Sequence, residues 1–190
     1  MPLTSNELLG LLTYALGGLG LAAECYAYSL HEDQRFRRWT CGAALLWSAM
    51  YLGLDALTSA LTMGSTALRT ALAGRLQSPR GRFWGSVFFL ALFALLTAAS
   101  WQGSVSLLPA FAVMNTTVAL FYLGGIPLRL VLLISSAAWV WNDILWHAWP
   151  ALIAESLAAM ISVRTVILWR LLSGSLRKVP DSRAYGGEVD

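Results

Sequence analysis

All thirteen Lys and Arg residues of this chain fall on one side of a membrane once its apolar runs are read as seven spans. Those runs are residues 8–30, 40–54, 56–74, 83–101, 107–123, 129–146 and 148–170. Arg35, Arg37 and Arg38 follow the first run. Arg75, Arg80 and Arg82 follow the third, with Arg69 just inside it. Arg129 lies between the fifth and sixth, and Arg164, Arg170, Arg177, Lys178 and Arg183 end the chain. The intervening links, near Asp55, at 102–106 and near Trp146, carry no basic residue. The positive-inside rule then sets the N-terminus outside and the C-terminus in the cytoplasm. Merging the second and third runs would break the alternation. It would also produce a helix of about 35 residues, too long for a hydrocarbon core of roughly 30 Å. A tight turn near Gly53 and Asp55 is therefore expected.

Composition agrees with lipid as the solvent. The chain has 190 residues, 57% of them hydrophobic and 12% charged, against about 25% charged in soluble domains. Seven spans leave no room for a separate soluble domain. A net charge of +3 is explained by the basic loops, so no nucleic-acid partner is expected. Membrane lipid is the expected surrounding, and a homo-oligomer is compatible with this class. Cys25 and Cys41 lie near cytoplasmic span ends, where a disulfide is not expected; they read as buried free thiols. The N-terminal segment lacks a basic stretch before its apolar run, so the first span is expected to be retained. Trp39, Trp84 and Trp169 read as an inner aromatic belt and Trp101, Trp146 and Trp149 as an outer one. Trp47, Trp139 and Trp141 lie near mid-span and do not fit a belt.

An internal repeat is visible. Leu68-Arg69-Thr70 ends the third span and Val163-Arg164-Thr165 lies in the seventh; each is followed, after four intervening residues, by an Arg-Leu pair, at an offset of 95. Trp47 matches Trp139 at an offset of 92. Two matches in order point to two parallel three-span units joined by a linker span, a 3+1+3 plan. The units are 1–76 and 107–172, the linker region with helix four is 77–106, and 173–190 is a polar cytoplasmic tail expected to be mobile. Ala60, Gly64 and Ala67 align with Glu155, Ala159 and Ser162, each trio on one helical face, where small residues permit close packing.

Ionisable groups inside the membrane are functional candidates because burying them is costly. They are Glu24, Arg69, Glu155 and Arg164. Glu24 is expected to pair with Arg69 or Arg164, as a clamp or a gate, and both arginines also have stems long enough to snorkel. Glu155 has no cation on its side of the membrane, so it must face water or a hydroxyl or amide partner, or carry a proton. Trp139 and Asn142 share a face with Ser135 and Trp146 and suit a stacking wall and a hydrogen-bond fork for a small solute. Asn115, Thr116 and Thr117 add polar groups at mid-membrane. Packing within the helix bundle is the competing reading for each. Asp143 and His147, four residues apart, fall short of the ligand count of a zinc site, and neither a metal nor a cofactor is expected. Gly17-Gly18-Leu19-Gly20 reads as close packing. No nucleophile–base–acid set is evident at one depth, so the chain is not expected to be an enzyme.

The stretch from about Arg35 to Arg170 resembles the YgjV-type bacterial inner-membrane proteins. The resemblance is carried by Arg35-Phe36-Arg37-Arg38, Ala67-Leu68-Arg69-Thr70, Leu107-Leu108-Pro109, Trp139-Val140-Trp141-Asn142 and Ile153-Ala154-Glu155-Ser156. It implies a multi-pass protein of the inner membrane. The 3+1+3 pattern is similar to the wider SWEET, PQ-loop and PnuC-type transporters, which carry small solutes through a central pocket. Those pockets commonly use a Trp in the second helix of each repeat and an Asn in the third. Trp47 and Trp139 match the first element. Ala60 and Glu155 stand near the positions of the second, and the chain has no Pro-Gln dipeptide. The resemblance implies an alternating-access facilitator for a small polar or aromatic solute, with a pocket near Trp47, Asn115, Trp139, Asn142 and Glu155. A non-transporting membrane protein on the same fold, such as a receptor, an assembly partner or a lipid-interacting protein, is the alternative.

Overall fold

The computed structural model describes residues 4–29, 33–73, 75–76, 78–123 and 125–176. Among them are seven α-helices: α1 (Ser5–Ser29), α2 (Asp33–Gly53), α3 (Leu57–Ala73), α4 (Pro79–Ala99), α5 (Leu107–Tyr122), α6 (Gly125–Leu145) and α7 (Trp149–Leu176). A single 3₁₀ turn, Ser104–Ser106, precedes α5. The helices follow the seven apolar runs closely. α7 continues to Leu176, four residues past the point where the polar tail was expected to begin; residues 177–190 lie outside the described residues.

The helix starts have local causes. Thr4 and Glu7 form a reciprocal capping box at α1: the Thr4 amide donates to Glu7 Oε2 at 2.8 Å, and the Glu7 amide donates to Thr4 Oγ1 at 3.4 Å. Ser78 caps α4 by accepting from the Gly81 amide at 3.0 Å, with Pro79 at the first helical position.

Among the described residues, four helical segments are long and apolar enough to cross a membrane by length and composition: Ser5–Ala27, Pro79–Ala99, Ser104–Tyr122 and Ile126–Leu145. The expected count was seven. α3 has 17 residues, about 25 Å of helix, and carries Thr58, Ser59, Thr62, Thr66 and Arg69 as buried or half-buried polar groups. α2 spends its first two turns on Asp33, Arg35, Arg37 and Arg38. Both helices are less apolar because they face protein more than lipid.

The packing closes a ring. Successive neighbours are α1–α2, α2–α3, α3–α5, α5–α6, α6–α7 and α7–α1, while α4 lies outside against α3 and α5. Small residues set the close approaches. A β-carbon on Gly17 would collide with Met50 and Pro150, and one on Gly20 would press on the Trp47 ring. On the α3 stripe, Ser48 Oγ donates to the Ala60 carbonyl at 2.7 Å and Cys41 Sγ to the Ala67 carbonyl at 3.3 Å. Phe89 and Phe93 turn the inner face of α4 onto the ring, and Phe83, Trp84, Phe88 and Leu95 cover its exposed face.

The α2–α3 and α6–α7 turns share most of their backbone hydrogen bonds at an offset of 92. Asp55 and His147 both adopt left-handed backbone, at φ 60° and 53°. The amides of Ala56 and Ala148 donate to the carbonyls of Tyr51 and Asp143, at 2.9 and 2.8 Å. Those of Leu57 and Trp149 donate to Asp55 and His147, at 3.0 and 2.9 Å. The turn expected at Asp55 is therefore present, and it has a twin.

Two expectations are corrected. Cys25 is exposed and Cys41 half-buried, rather than both buried, although both thiols are free. Of the three mid-span tryptophans, Trp47 and Trp139 are buried, whereas Trp141 is 59% exposed and joins the lipid-facing surface. Adjacent positions on α6 point about 100° apart, so Trp139 and Trp141 cannot share a face.

Candidate functional site

A cavity of about 280 Å³ occupies the centre of the ring. All six ring helices contribute to its wall and α4 does not. Glu24 comes from α1; Thr40 and Trp47 from α2; Met63, Thr66 and Arg69 from α3. The second half supplies Thr116 from α5; Ser135, Ser136 and Trp139 from α6; and Glu155 and Ser162 from α7.

Most hydroxyls near the site are satisfied by their own helices. Thr62, Thr66 and Thr70 each donate back to the carbonyl four residues earlier, at 2.8, 3.0 and 2.9 Å. Ser135 does the same to Val131 at 3.0 Å. The charged groups are held differently. Trp47 Nε1 donates to Glu24 Oε2 at 3.1 Å, tying α2 to α1. Arg69 is 5% exposed. Its Nη1 donates to the Val113 carbonyl, Thr116 Oγ1 and Thr117 Oγ1 at 3.2, 3.1 and 2.8 Å, tying α3 to α5. Its Nε is buried without a partner, and Phe93 of α4 stacks 5.9 Å from the guanidinium carbon. Glu155 lies beside Ser136 and within electrostatic reach of Glu24 and Asp143.

One turn above the cavity, toward the end that holds the two twin turns, is a polar layer. Tyr51, Ser59, Asn142 and Asp143 are all essentially unexposed. Tyr51 Oη donates to Asp143 Oδ1 at 2.5 Å, Asn142 Nδ2 to the same oxygen at 3.3 Å, and Ser59 Oγ to Asn142 Oδ1 at 3.0 Å. Tyr51 also stacks on Trp139 with ring centroids 5.9 Å apart. Each member lies three or four residues from a lining residue: Tyr51 from Trp47, Ser59 from Met63, Asn142 from Trp139. The layer therefore closes the cavity on this side. Beyond it, Thr58 Oγ1 donates to the Ser100 carbonyl at 2.7 Å, and Gln102 Nε2 to the Asp55 carbonyl at 2.6 Å, binding the α4–α5 link over the α2–α3 turn.

Of the residues singled out from the sequence, Trp47, Trp139, Glu155, Glu24 and Arg69 meet in the cavity wall. Asn115 stands behind it, donating to Ser135 Oγ at 3.1 Å, and Asn142 belongs to the closing layer. The expected ion pair is not formed: Glu24 bonds to Trp47 and Arg69 to α5. Arg164 is exposed on α7, in a shallow apolar groove with Met160, Val163 and Ile167. Asp143 and His147, four residues apart at the end of α6, part company: Asp143 in the last turn is fully buried against Tyr51, while His147 is exposed against Trp149. The offset that matched Trp47 to Trp139 also matches Tyr51 to Asp143, and that relation was the available signal for the layer.

Comparison with known proteins returns no match among curated proteins and none among solved structures. The family model described as "Imp-YgjV: Bacterial inner membrane protein" matches residues 11–173, nearly the whole helical part of the chain. The apolar helices agree with that setting, and the chain belongs to the Imp-YgjV family of bacterial inner membrane proteins.

Proposed function

We propose that this protein is an inner-membrane facilitator that moves a small polar or aromatic solute by alternating access. One observation carries the reading: a cavity with ionisable, hydroxyl and apolar side chains in its wall lies at the junction of all six ring helices and is shut at one end by a hydrogen-bonded layer. Such a cavity suits a site exposed to one side at a time. In this reading α1–α3 and α5–α7 are parallel repeats and α4 is the linker. Exchanging α1, α2 and α3 for α5, α6 and α7 turns the α3–α5 seam into the α7–α1 seam, as a two-fold axis along the membrane normal requires. Rocking of one triplet against the other at those two seams would open the layer.

The orientation proposed is seven spans with the twin turns outside and the basic links in the cytoplasm. Alkaline phosphatase fused after Gln102 is expected to be active, and a fluorescent protein at the C-terminus to fluoresce. The reverse pattern would reverse the topology.

Transport is tested with purified protein in liposomes, supplying radiolabelled sugars, amino acids and nucleosides with and without a pH gradient. We expect flux of at least one class. We also expect Glu155→Gln to lower it at least about tenfold and to flatten its dependence on the gradient, because a carboxyl able to carry a proton is removed. Unchanged uptake and pH dependence would end the coupling role of Glu155. The second reading, a lipid-interacting protein, rests on an apolar groove between α4 and α5 lined by Thr97, Trp101, Phe111 and Met114. Tight co-purifying lipid together with no solute flux would favour it.

A further inference from the structure

The cavity is electrically polarised across the ring, and the polarity names a class of solute. This step rests on the transport reading above. The ring order α1–α2–α3–α5–α6–α7 sets the α7–α1 seam opposite the α3–α5 seam. Glu24 and Glu155 lie at the first seam, close enough to act on one another electrostatically. Arg69 and Thr116 lie at the second. Trp47 on α2 and Trp139 on α6 supply the two walls between. No ion pair among the described residues joins the two sides, because the Arg69 hydrogen bonds go to Val113, Thr116 and Thr117 and that of Glu24 goes to Trp47. Arg69 is more than nine-tenths buried and lines the cavity, and its Nε, itself buried, has no hydrogen-bond partner.

Two carboxyls on one wall and a guanidinium on the facing wall, with no ion pair between them, are costly to bury in a low-dielectric interior. A simple cation would satisfy the carboxyl wall and leave Arg69 alone. A simple anion would do the reverse and would face two carboxyls. A neutral sugar would compensate neither. We infer that the solute is a small zwitterion, with an ammonium group directed to Glu24 and Glu155, a carboxylate directed to Arg69 and Thr116, and an apolar body between Trp47 and Trp139. Carboxylate recognition by a guanidinium and ammonium recognition by carboxyls with aromatic walls are both strong, directional contacts. A volume of about 280 Å³ accommodates a single amino acid or a betaine.

Binding to the purified protein separates the classes. The probes are the twenty amino acids and glycine betaine as zwitterions, amino-acid amides as cations, N-acetyl amino acids as anions, and glucose and ribose as neutral solutes. We expect at least one amino acid to bind at least about tenfold more tightly than its own amide and its own N-acetyl form. Arg69→Gln is expected to erase the preference over the amide, and Glu24→Gln or Glu155→Gln the preference over the N-acetyl form. Thr116→Ala keeps the guanidinium and serves if those variants do not fold; it is expected to weaken zwitterion and N-acetyl binding by about threefold and to leave the amide unchanged. If the tightest probe is an amide, an N-acetyl acid or a sugar, the zwitterion assignment is overturned, while flux of that probe would sustain the transport reading. If no probe binds and none crosses liposomes, both are overturned.

Discussion

Replacing Arg69 with methionine is expected to leave the protein as stable as wild type, or more stable, and to abolish solute flux. The guanidinium is nearly inaccessible and one of its donors, Nε, is unsatisfied. A buried donor without a partner costs about 1–3 kcal/mol. Its other contacts are replaceable: Thr116 and Thr117 already donate to the Val113 carbonyl, at 3.1 and 2.6 Å. Removing Arg69 therefore strands no hydroxyl donor on α5. Methionine has similar length, fills the space beside Phe93 and favours aromatic contact. Apolar replacement of buried charges is often neutral, or stabilising by about 1–4 kcal/mol. A residue kept against that gradient has a use other than folding. The check is a pair of measurements on Arg69→Met, melting in detergent and flux in liposomes. A large fall in melting temperature would make Arg69 a structural tie between α3 and α5. Unchanged flux would remove it from the solute path.

The helices were legible because apolar runs long enough to span are separated by links that alternately carry and lack Lys and Arg. The site was legible in depth but not in azimuth. Arg69, Glu24 and Glu155 were visible as charges inside spans, and all three border the cavity. Their partners were not visible. Glu24 and Arg69 share a depth, which suggested an ion pair, yet the ring holds them on different helices facing different neighbours. Asn142 was assigned to the cavity from its spacing to Trp139; three residues of helix rise about 4.5 Å, enough to move it into the closing layer. Asp143 was read only with His147, as a pair short of a metal site's ligand count, so its bond to Tyr51 across the bundle was not visible. The repeat held the better clue. Carried forward from Trp47 and Trp139, the offset of 92 reaches Tyr51 and Asp143, then Asp55 and His147. The first of these pairs bonds across the bundle and the second forms the twin turns.

That bond is the contact most exposed to a rocking motion, and breaking it is expected to open the cavity toward the twin turns. In the proposed two-triplet reading, Tyr51 and Asp143 stand at equivalent positions, and the bond from α2 to α6 crosses the interface that alternating access would part. Tyr51→Phe deletes the donor, leaves Asp143 Oδ2 without a partner as before, and leaves Oδ1 only the 3.3 Å contact from Asn142. Asp143→Asn retains the volume but removes a charge-assisted acceptor. A hydrogen bond to a charged group contributes about 1.5–3 kcal/mol, which corresponds to about a ten- to hundredfold shift between closed and open states. The reporter is Ala151→Cys, a buried position on α7 one turn from Glu155, in a background with Cys25 and Cys41 replaced by serine and alanine. Labelling by a membrane-impermeant maleimide added from the outside is expected to be slow in that background and about ten- to hundredfold faster with Tyr51→Phe or Asp143→Asn. The double variant is expected to be no faster than the quicker single variant, because both remove the same bond and their effects are not additive. Rates that multiply would mean that the two side chains hold the layer independently. Rates that do not change would mean that the layer is not the barrier on this side.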